Sequence, residues 1–198
     1  GTHWLVLFES TGIGGTGYYE KHLAFVRVAP DGTLADPAPV IIYNTVPITG
    51  IWSVASNGTD WVVAFAGSPA SNDIQAITVS AAGEVLQPAT SLVEETYFLR
   101  FNMRLAYADG VYLLTWLEFS DTYALRFDEN LAPLDPAPFS LLPGNSINGI
   151  TQNGNQFYII WVQQMLDFSI AVLGSRVGTD GTRLDGAGDN LSVLNEPD

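Results

Sequence analysis

The sequence predicts an all-β fold: a β-propeller of four-stranded antiparallel blades, with about four blades and the innermost strand of the first blade missing from this chain. Three observations predict it. An apolar and aromatic run follows a small turn four times, a polar hairpin motif follows each run at a recurring distance, and no segment repeats its apolar residues at helical spacing.

The aromatic runs are Gly1 to Phe8, Gly58 to Phe65, Gly110 to Trp116 and Gly154 to Trp161, with closing aromatics at 8, 65, 116 and 161 and periods of 57, 51 and 45 residues. Within them, Trp61-Val62-Val63-Ala64-Phe65 and Phe157-Tyr158-Ile159-Ile160-Trp161 are apolar at successive positions. A strand of that kind must be covered on both faces, as happens when sheets stack like blades. Trp4, Trp61, Trp116 and Trp161 recur in these strands and read as core.

The hairpin motif runs from Arg27 to Asp36, Thr78 to Gln87, Arg126 to Asp135 and Arg176 to Asp185. Asp31-Gly32, Ala82-Gly83 and Asp180-Gly181 mark its turns, because tight hairpin turns need positive φ, which glycine tolerates. A two-residue turn at Asp31-Gly32 pairs 30 with 33, 29 with 34, 28 with 35 and Arg27 with Asp36. The same count sets Arg126 opposite Asp135, Arg176 opposite Asp185 and Thr78 opposite Gln87. An opposite-charge cross-strand pair is worth about 0.2–1 kcal/mol, and one copy replaces both members together with a neutral pair, so these six charged residues read as structural cross-strand pairs.

From aromatic to hairpin the spacings are 19, 13, 10 and 15 residues, whereas from hairpin to the next aromatic they are 29, 29 and 26. Variation concentrated in one loop per repeat is the mark of a fixed scaffold with insertions on one face. Each repeat resolves into four short strands; in the second they fall at 52–56, 60–65, 74–80 and 84–93. The repeats divide the chain approximately into 1–50, 51–102, 103–148 and 149–198, a single propeller domain or propeller section. Asp36-Pro37-Ala38-Pro39 and Asp135-Pro136-Ala137-Pro138 read as part of the fourth strand, since proline belongs on an edge. The first repeat starts at its second strand, which gives 15 strands and the expectation that further repeats or another chain complete the ring.

The aromatic strand after a Gly turn, followed by Arg-x-x-x-Asp-Gly-x-x-x-Asp-Pro, resembles the degenerate propeller repeats of large secreted or surface-displayed bacterial proteins. The likeness covers essentially the whole chain. It implies an extracellular or cell-surface propeller and carries over no catalytic residue.

The chain holds 198 residues with 21 Asp+Glu against 7 Lys+Arg, a formal charge of −14. That excess repels phosphate backbones and anionic headgroups, so nucleic acid is excluded as a partner. Apolar runs such as Phe157 to Val162 fall far short of the roughly 20 residues a spanning helix needs, so no membrane insertion is expected. With no cysteine there is no thiolate nucleophile or thiolate metal site, and the two histidines, His3 and His22, give a catalytic triad little material.

No catalytic residue, no metal site and no cofactor are therefore assigned. Calcium has one candidate stretch, Asp180, Asp185 and Asp189 among glycines, whose spacing fits no EF-hand. Glu9, Glu20, Glu94, Glu95, Glu118 and Asp121 are carboxylates in or near connecting segments, but their spacing selects no acid–base pair. The better binding candidates are loop aromatics: Tyr18 and Tyr19 after a glycine-rich segment, and Tyr97 and Phe98 between the second and third repeats. Asn57-Gly58-Thr59 and Asn190-Leu191-Ser192 match the glycosylation acceptor pattern. The sequence favours a non-enzymatic extracellular module for adhesion, assembly or ligand display, with a protein or glycan partner. The alternative is a lectin, or a glycoside hydrolase or lyase, using acidic and aromatic loop residues.

Overall fold

The computed structural model describes residues 3–13, 19–43, 51–67, 73–94, 100–165, 167–186 and 188–193. These hold fifteen strands and no helix, arranged as one three-stranded and three four-stranded antiparallel sheets. Blade 1 comprises β1 (Trp4–Ile13), β2 (Tyr19–Val28) and β3 (Val40–Tyr43), in that order. Blade 2 follows with β4 (Trp52–Ser56), β5 (Trp61–Ala66), β6 (Ile74–Val79) and β7 (Val85–Val93). Blade 3 holds β8 (Arg100–Ala108), β9 (Val111–Glu118), β10 (Asp121–Phe127) and β11 (Phe139–Leu142), and blade 4 β12 (Ile147–Asn153), β13 (Gln156–Gln164), β14 (Ile170–Gly178) and β15 (Asp189–Val193). The architecture is a β-propeller of about four blades; among the described residues blade 1 shows no counterpart of the strand that β4 supplies to blade 2.

The chain divides into two compact units, Gly1–Phe98 and Leu99–Asp198, each containing two blades. In the first unit, Leu23 and Phe25 of blade 1 meet Trp61, Val63, Phe65, Ile77 and Val79 of blade 2. Leu5 and Leu7, alternate residues of β1, add to the same core. In the second unit, Ala106, Ala108 and Ala124 present a face of small side chains, and Phe157, Ile159 and Trp161 fill the space so left. Small facing large is how stacked sheets reach interior packing density. Fully burying one such aromatic is worth about 1.5–3 kcal/mol, so these two seams carry much of each unit's stability.

Three sequence expectations are corrected. The Asp-Gly turns are not two-residue primed turns: the Ala29 N–H donates to Thr33 O at 2.9 Å and the Gly32 N–H to Ala29 O at 2.9 Å, which closes a three-residue loop with glycine in the left-handed position, φ +86°. Val28 consequently bridges Leu34, one residue off the expected register. Second, Pro37 and Pro39 lie in bends ahead of β3, and Pro136 and Pro138 ahead of β11, because a residue without N–H ends the ladder before the outer strand starts. Third, Trp4 is not core: it lies on the face of β1 opposite Leu5 and Leu7 and is 58% exposed.

Candidate binding face

The six charged rung residues meet despite the shifted register. Asp36 accepts from the Arg27 backbone N–H at 2.7 Å and from its guanidinium at Nε, 3.1 Å, and Nη2, 2.6 Å. Asp135 is held in the same way by Arg126, and Asp185 by Arg176. The bulge at the turn lets one carboxylate cap both main chain and side chain of the arginine, which a simple cross-strand pair cannot do. The Arg176 guanidinium, followed by the Arg176 backbone N–H, pulls the Asp185 carboxyl down to about 2, and Arg27 lowers Asp36 by the same contacts. In blade 2 the Thr78 hydroxyl donates instead to Gln87 Oε1 at 2.9 Å.

The remaining guanidinium nitrogen does something the sequence did not show. Arg27 Nη1 donates to Ala81 O at 2.7 Å, and Arg126 Nη1 to Thr179 O at 2.7 Å. Each acceptor lies two residues before the turn glycine of the following blade, so each of these rungs also ties its blade to the next.

The binding candidates fall differently. Tyr18, Tyr97 and Phe98 lie outside the described residues, and Tyr19 starts β2 as the partner of Ile13, with its side chain outside the description. Of the calcium candidates, Asp180 accepts the Thr182 N–H and Asp185 holds Arg176, while Asp189 begins β15. Among the described residues no three or more of His, Cys, Asp and Glu gather where a metal could be held.

Glu118 and Asp121 are brought together, as opposite residues at the end of the β9–β10 hairpin. Both are already engaged: Glu118 Oε2 accepts from Trp116 Nε1 at 3.3 Å and lies 3.5 Å from Arg100 Nε, and Asp121 Oδ1 accepts the Gly144 N–H at 2.8 Å. Arg100, buried, also stacks its guanidinium 5.7 Å from the Trp116 ring centre. Neighbouring repeats use the same device, since Trp161 Nε1 donates to Gln163, again two residues on.

The turns beside this cluster hold the residues that sequence reading missed. Phe119 has φ +55° and is 72% exposed at the first central position of the β9–β10 turn, a place suited to glycine. Phe168 has φ +67° and is 83% exposed between β13 and β14. Its loop repeats the geometry of the Asp31-Gly32 turn: the Met165 N–H donates to Ser169 O, the Phe168 N–H to Met165 O, and Asp167 caps Ser169. Phe168 thus stands in a glycine slot. Leu131 occupies the equivalent slot of the β10–β11 hairpin with φ +60°, but it is buried, which offsets its strain. Phe168 has no such compensation. Topology puts both phenylalanines at the same end of consecutive blades, with exposed Phe101 at the start of β8 on that end as well.

A separate cleft of about 370 Å³ lies in the first unit, lined by His3, Trp4, Trp61, Ser56 and Thr59 among others.

No family model and no curated protein matches the chain. Solved structures do match in fold. The nidogen/laminin complex structure aligns at TM-score 0.52 and 18% identity, over 98% of this chain and 65% of that one. A xylan β-1,4-xylosidase from Bacillus halodurans C-125 aligns at 0.54 and 14%, over 100% and 45%. An α-L-arabinofuranosidase from Lactobacillus brevis aligns at 0.51 and 14%, over 91% and 70%. At these identities the likeness is one of fold, that of the propeller, and the chain spans under two thirds of the first of these structures.

Proposed function

We propose that this chain is a non-enzymatic propeller module of the extracellular space or cell surface that binds a protein or glycan partner through the turn ends of its blades. The observation that carries the reading is Phe168: a large aromatic held in solvent on a left-handed backbone that favours glycine. Left-handed backbone costs a bulky residue about 1–2 kcal/mol, and strain without local compensation points to a role outside the fold. Phe119, equally strained and on the same end, widens the surface. Exposed aromatics of this kind anchor both protein and sugar contacts. The likeness to a propeller solved within a protein complex agrees with this use of the fold.

The test compares wild type with a Phe119→Ser/Phe168→Ser variant on arrays of glycans and extracellular-matrix proteins. Wild type should retain at least one ligand class that the variant binds at least tenfold more weakly. Identical profiles overturn the reading. Phe168→Gly should in addition raise stability by about 1 kcal/mol in urea, because it removes the backbone strain.

A hydrolase is the second reading, favoured by the opposition of Glu118 and Asp121 and by fold neighbours that are glycosidases. Release of nitrophenol from p-nitrophenyl α-L-arabinofuranoside or β-D-xyloside, abolished in Glu118→Gln, would establish it. The binding reading expects no release.

A further inference from the structure

Building on the binding role proposed above, we infer that the partner is a protein and that its contact is an extended basic segment. Two cationic side chains of that segment, three residues apart, seat on the turns of blades 3 and 4. The β9–β10 turn reads Phe119-Ser120-Asp121 and the β13–β14 turn Asp167-Phe168-Ser169. Each therefore sets one phenylalanine, one serine and one aspartate at a hairpin tip, on the same end of consecutive blades of one unit. Both rings stand mostly in solvent.

The carboxylates beside the rings keep their charge. Asp121 Oδ1 accepts the Gly144 N–H at 2.8 Å and the Ser120 hydroxyl at 3.2 Å. Asp167 Oδ1 accepts the Ser169 N–H at 3.0 Å and the Ser169 hydroxyl at 2.6 Å. All four donors are neutral, and among the described residues neither carboxylate meets a cation, whereas Glu118 is matched by Arg100. Arg126 and Arg176 are committed to Asp135 and Asp185 at the opposite end of these blades, and Arg104 reaches Met103 O and Asn148 O. Each tip thus carries an aromatic ring and an unmatched negative charge within three residues.

That pairing suits one class of side chain. Arginine and lysine carry a cationic head on an apolar stem, so the stem covers the ring, the head reaches the carboxylate, and the ring's face attracts the cation as well. A chain with a formal charge of −14 draws such a ligand in and repels an acidic one. A single exposed contact of this kind is weak, but two engaged together bind more tightly than either alone. Blades 3 and 4 pack through Leu113, Phe157 and Ile159, and stacked sheets lie about 10 Å apart. A polyproline-type segment rises about 3.1 Å per residue and repeats its side-chain direction every third residue. Basic residues at i and i+3 therefore stand about 9 Å apart on one side of the segment, which matches the spacing of the blades. Exposed Phe101, at the start of β8, adds a third apolar group at this end.

NMR titration of the isotope-labelled full chain tests this with two end-blocked peptides of equal charge, Gly-Arg-Pro-Pro-Arg-Gly and Gly-Arg-Pro-Pro-Pro-Pro-Pro-Arg-Gly, the second doubling the spacing. The first should give saturable shifts centred on residues 119–121 and 167–170, and the second should bind about fivefold more weakly or worse, because it engages one tip at a time. Asp121→Asn/Asp167→Asn keeps oxygens for the Gly144 and Ser169 N–H groups and should weaken the first peptide about tenfold, as should Phe119→Ser/Phe168→Ser. Asp128→Asn/Asp180→Asn makes the same change of net charge at the opposite end of the same blades, where both side chains only cap their own turns, and should alter affinity less than about twofold. No saturable shift, equal affinity for the two peptides, or equal losses in the two aspartate variants overturns the inference. If the peptide fails while a neutral glycan on the arrays still needs the phenylalanines, the basic segment falls and the binding role stands. A Phe119→Ser/Phe168→Ser variant that holds every array ligand as wild type does removes both.

Discussion

Arg126 and Arg176 occupy the same position of the same repeat and clasp their aspartates with the same three nitrogens, yet one is mostly covered and tied to a neighbouring blade while the other stands half in solvent. The difference separates two contributions usually merged when a conserved-looking ion pair is described. The clasp is local, set by a nine-residue hairpin that brings the carboxylate back under its own arginine. The tie is tertiary, and its value depends on which carbonyl the next sheet offers. Charge pairing in water is worth little, whereas a guanidinium shielded from water and filled by four acceptor contacts is costly to remove.

Removing the arginine gives the largest expected contrast. Arg126→Ala should lower unfolding stability by about 2–3 kcal/mol, because Asp135 and Thr179 O both lose a charged partner in a shielded site, while Arg176→Ala should cost less than about 1 kcal/mol. Urea midpoints of the two variants check this, and equal losses would mean the tie adds nothing to the clasp.

The glycine slots sharpen the same comparison at a smaller scale. Gly32→Ala meets open space and should cost about 1 kcal/mol for the left-handed backbone alone. Gly181→Ala must also push aside the Phe139 ring and the Arg126 side chain, 3.0 and 3.2 Å from its Cβ position, and should cost about 1 kcal/mol more. In an Arg126→Ala background the gap between the two alanine substitutions should narrow to what the Phe139 ring, 3.0 Å from the Gly181 Cβ position, still costs, which a double-mutant cycle measures.

Acid gives the smallest effect. Asp185 titrates near 2 in the folded chain because Arg176 stabilises its carboxylate, and a carboxyl lowered on folding contributes stability above its unfolded value that is lost as pH falls through the folded one. Stability should therefore drop between about pH 4 and pH 2, and Arg176→Ala should shift the Asp185 carboxyl carbon titration upward in NMR. An unmoved midpoint would show that the guanidinium is not what holds it down.

Much of the scaffold is legible in the sequence. The strands of blade 2 begin and end within a residue of where the turns at Asn57-Gly58 and Ala82-Gly83 put them, because alternation and turn chemistry are encoded within a few residues. Arg27 and Asp36 meet as their spacing predicts although the turn is of another type, since the bulge shifts the backbone without moving the carboxylate beyond the guanidinium's reach. Trp4 was misplaced because a repeat shows which residues are equivalent, and not whether a sheet lies over each of them. Phe119 and Phe168 are not legible in the sequence, because nothing in the letters marks a phenylalanine standing where glycine should. Arg100 lies in no repeated position, and only its burial against Trp116 singles it out.

Four sheets, their strand order and the arginine–aspartate clasps follow from the sequence alone, because each sheet joins strands consecutive in the chain and each clasp spans nine positions, where turn chemistry and chirality leave few arrangements. Which faces are covered, which spare nitrogen finds a carbonyl and which aromatics stand in water were decided only by the tertiary structure. Those depend on contacts between residues some fifty positions apart, such as Arg126 and Thr179, and on burial, a property of the assembled surface that no single repeat contains.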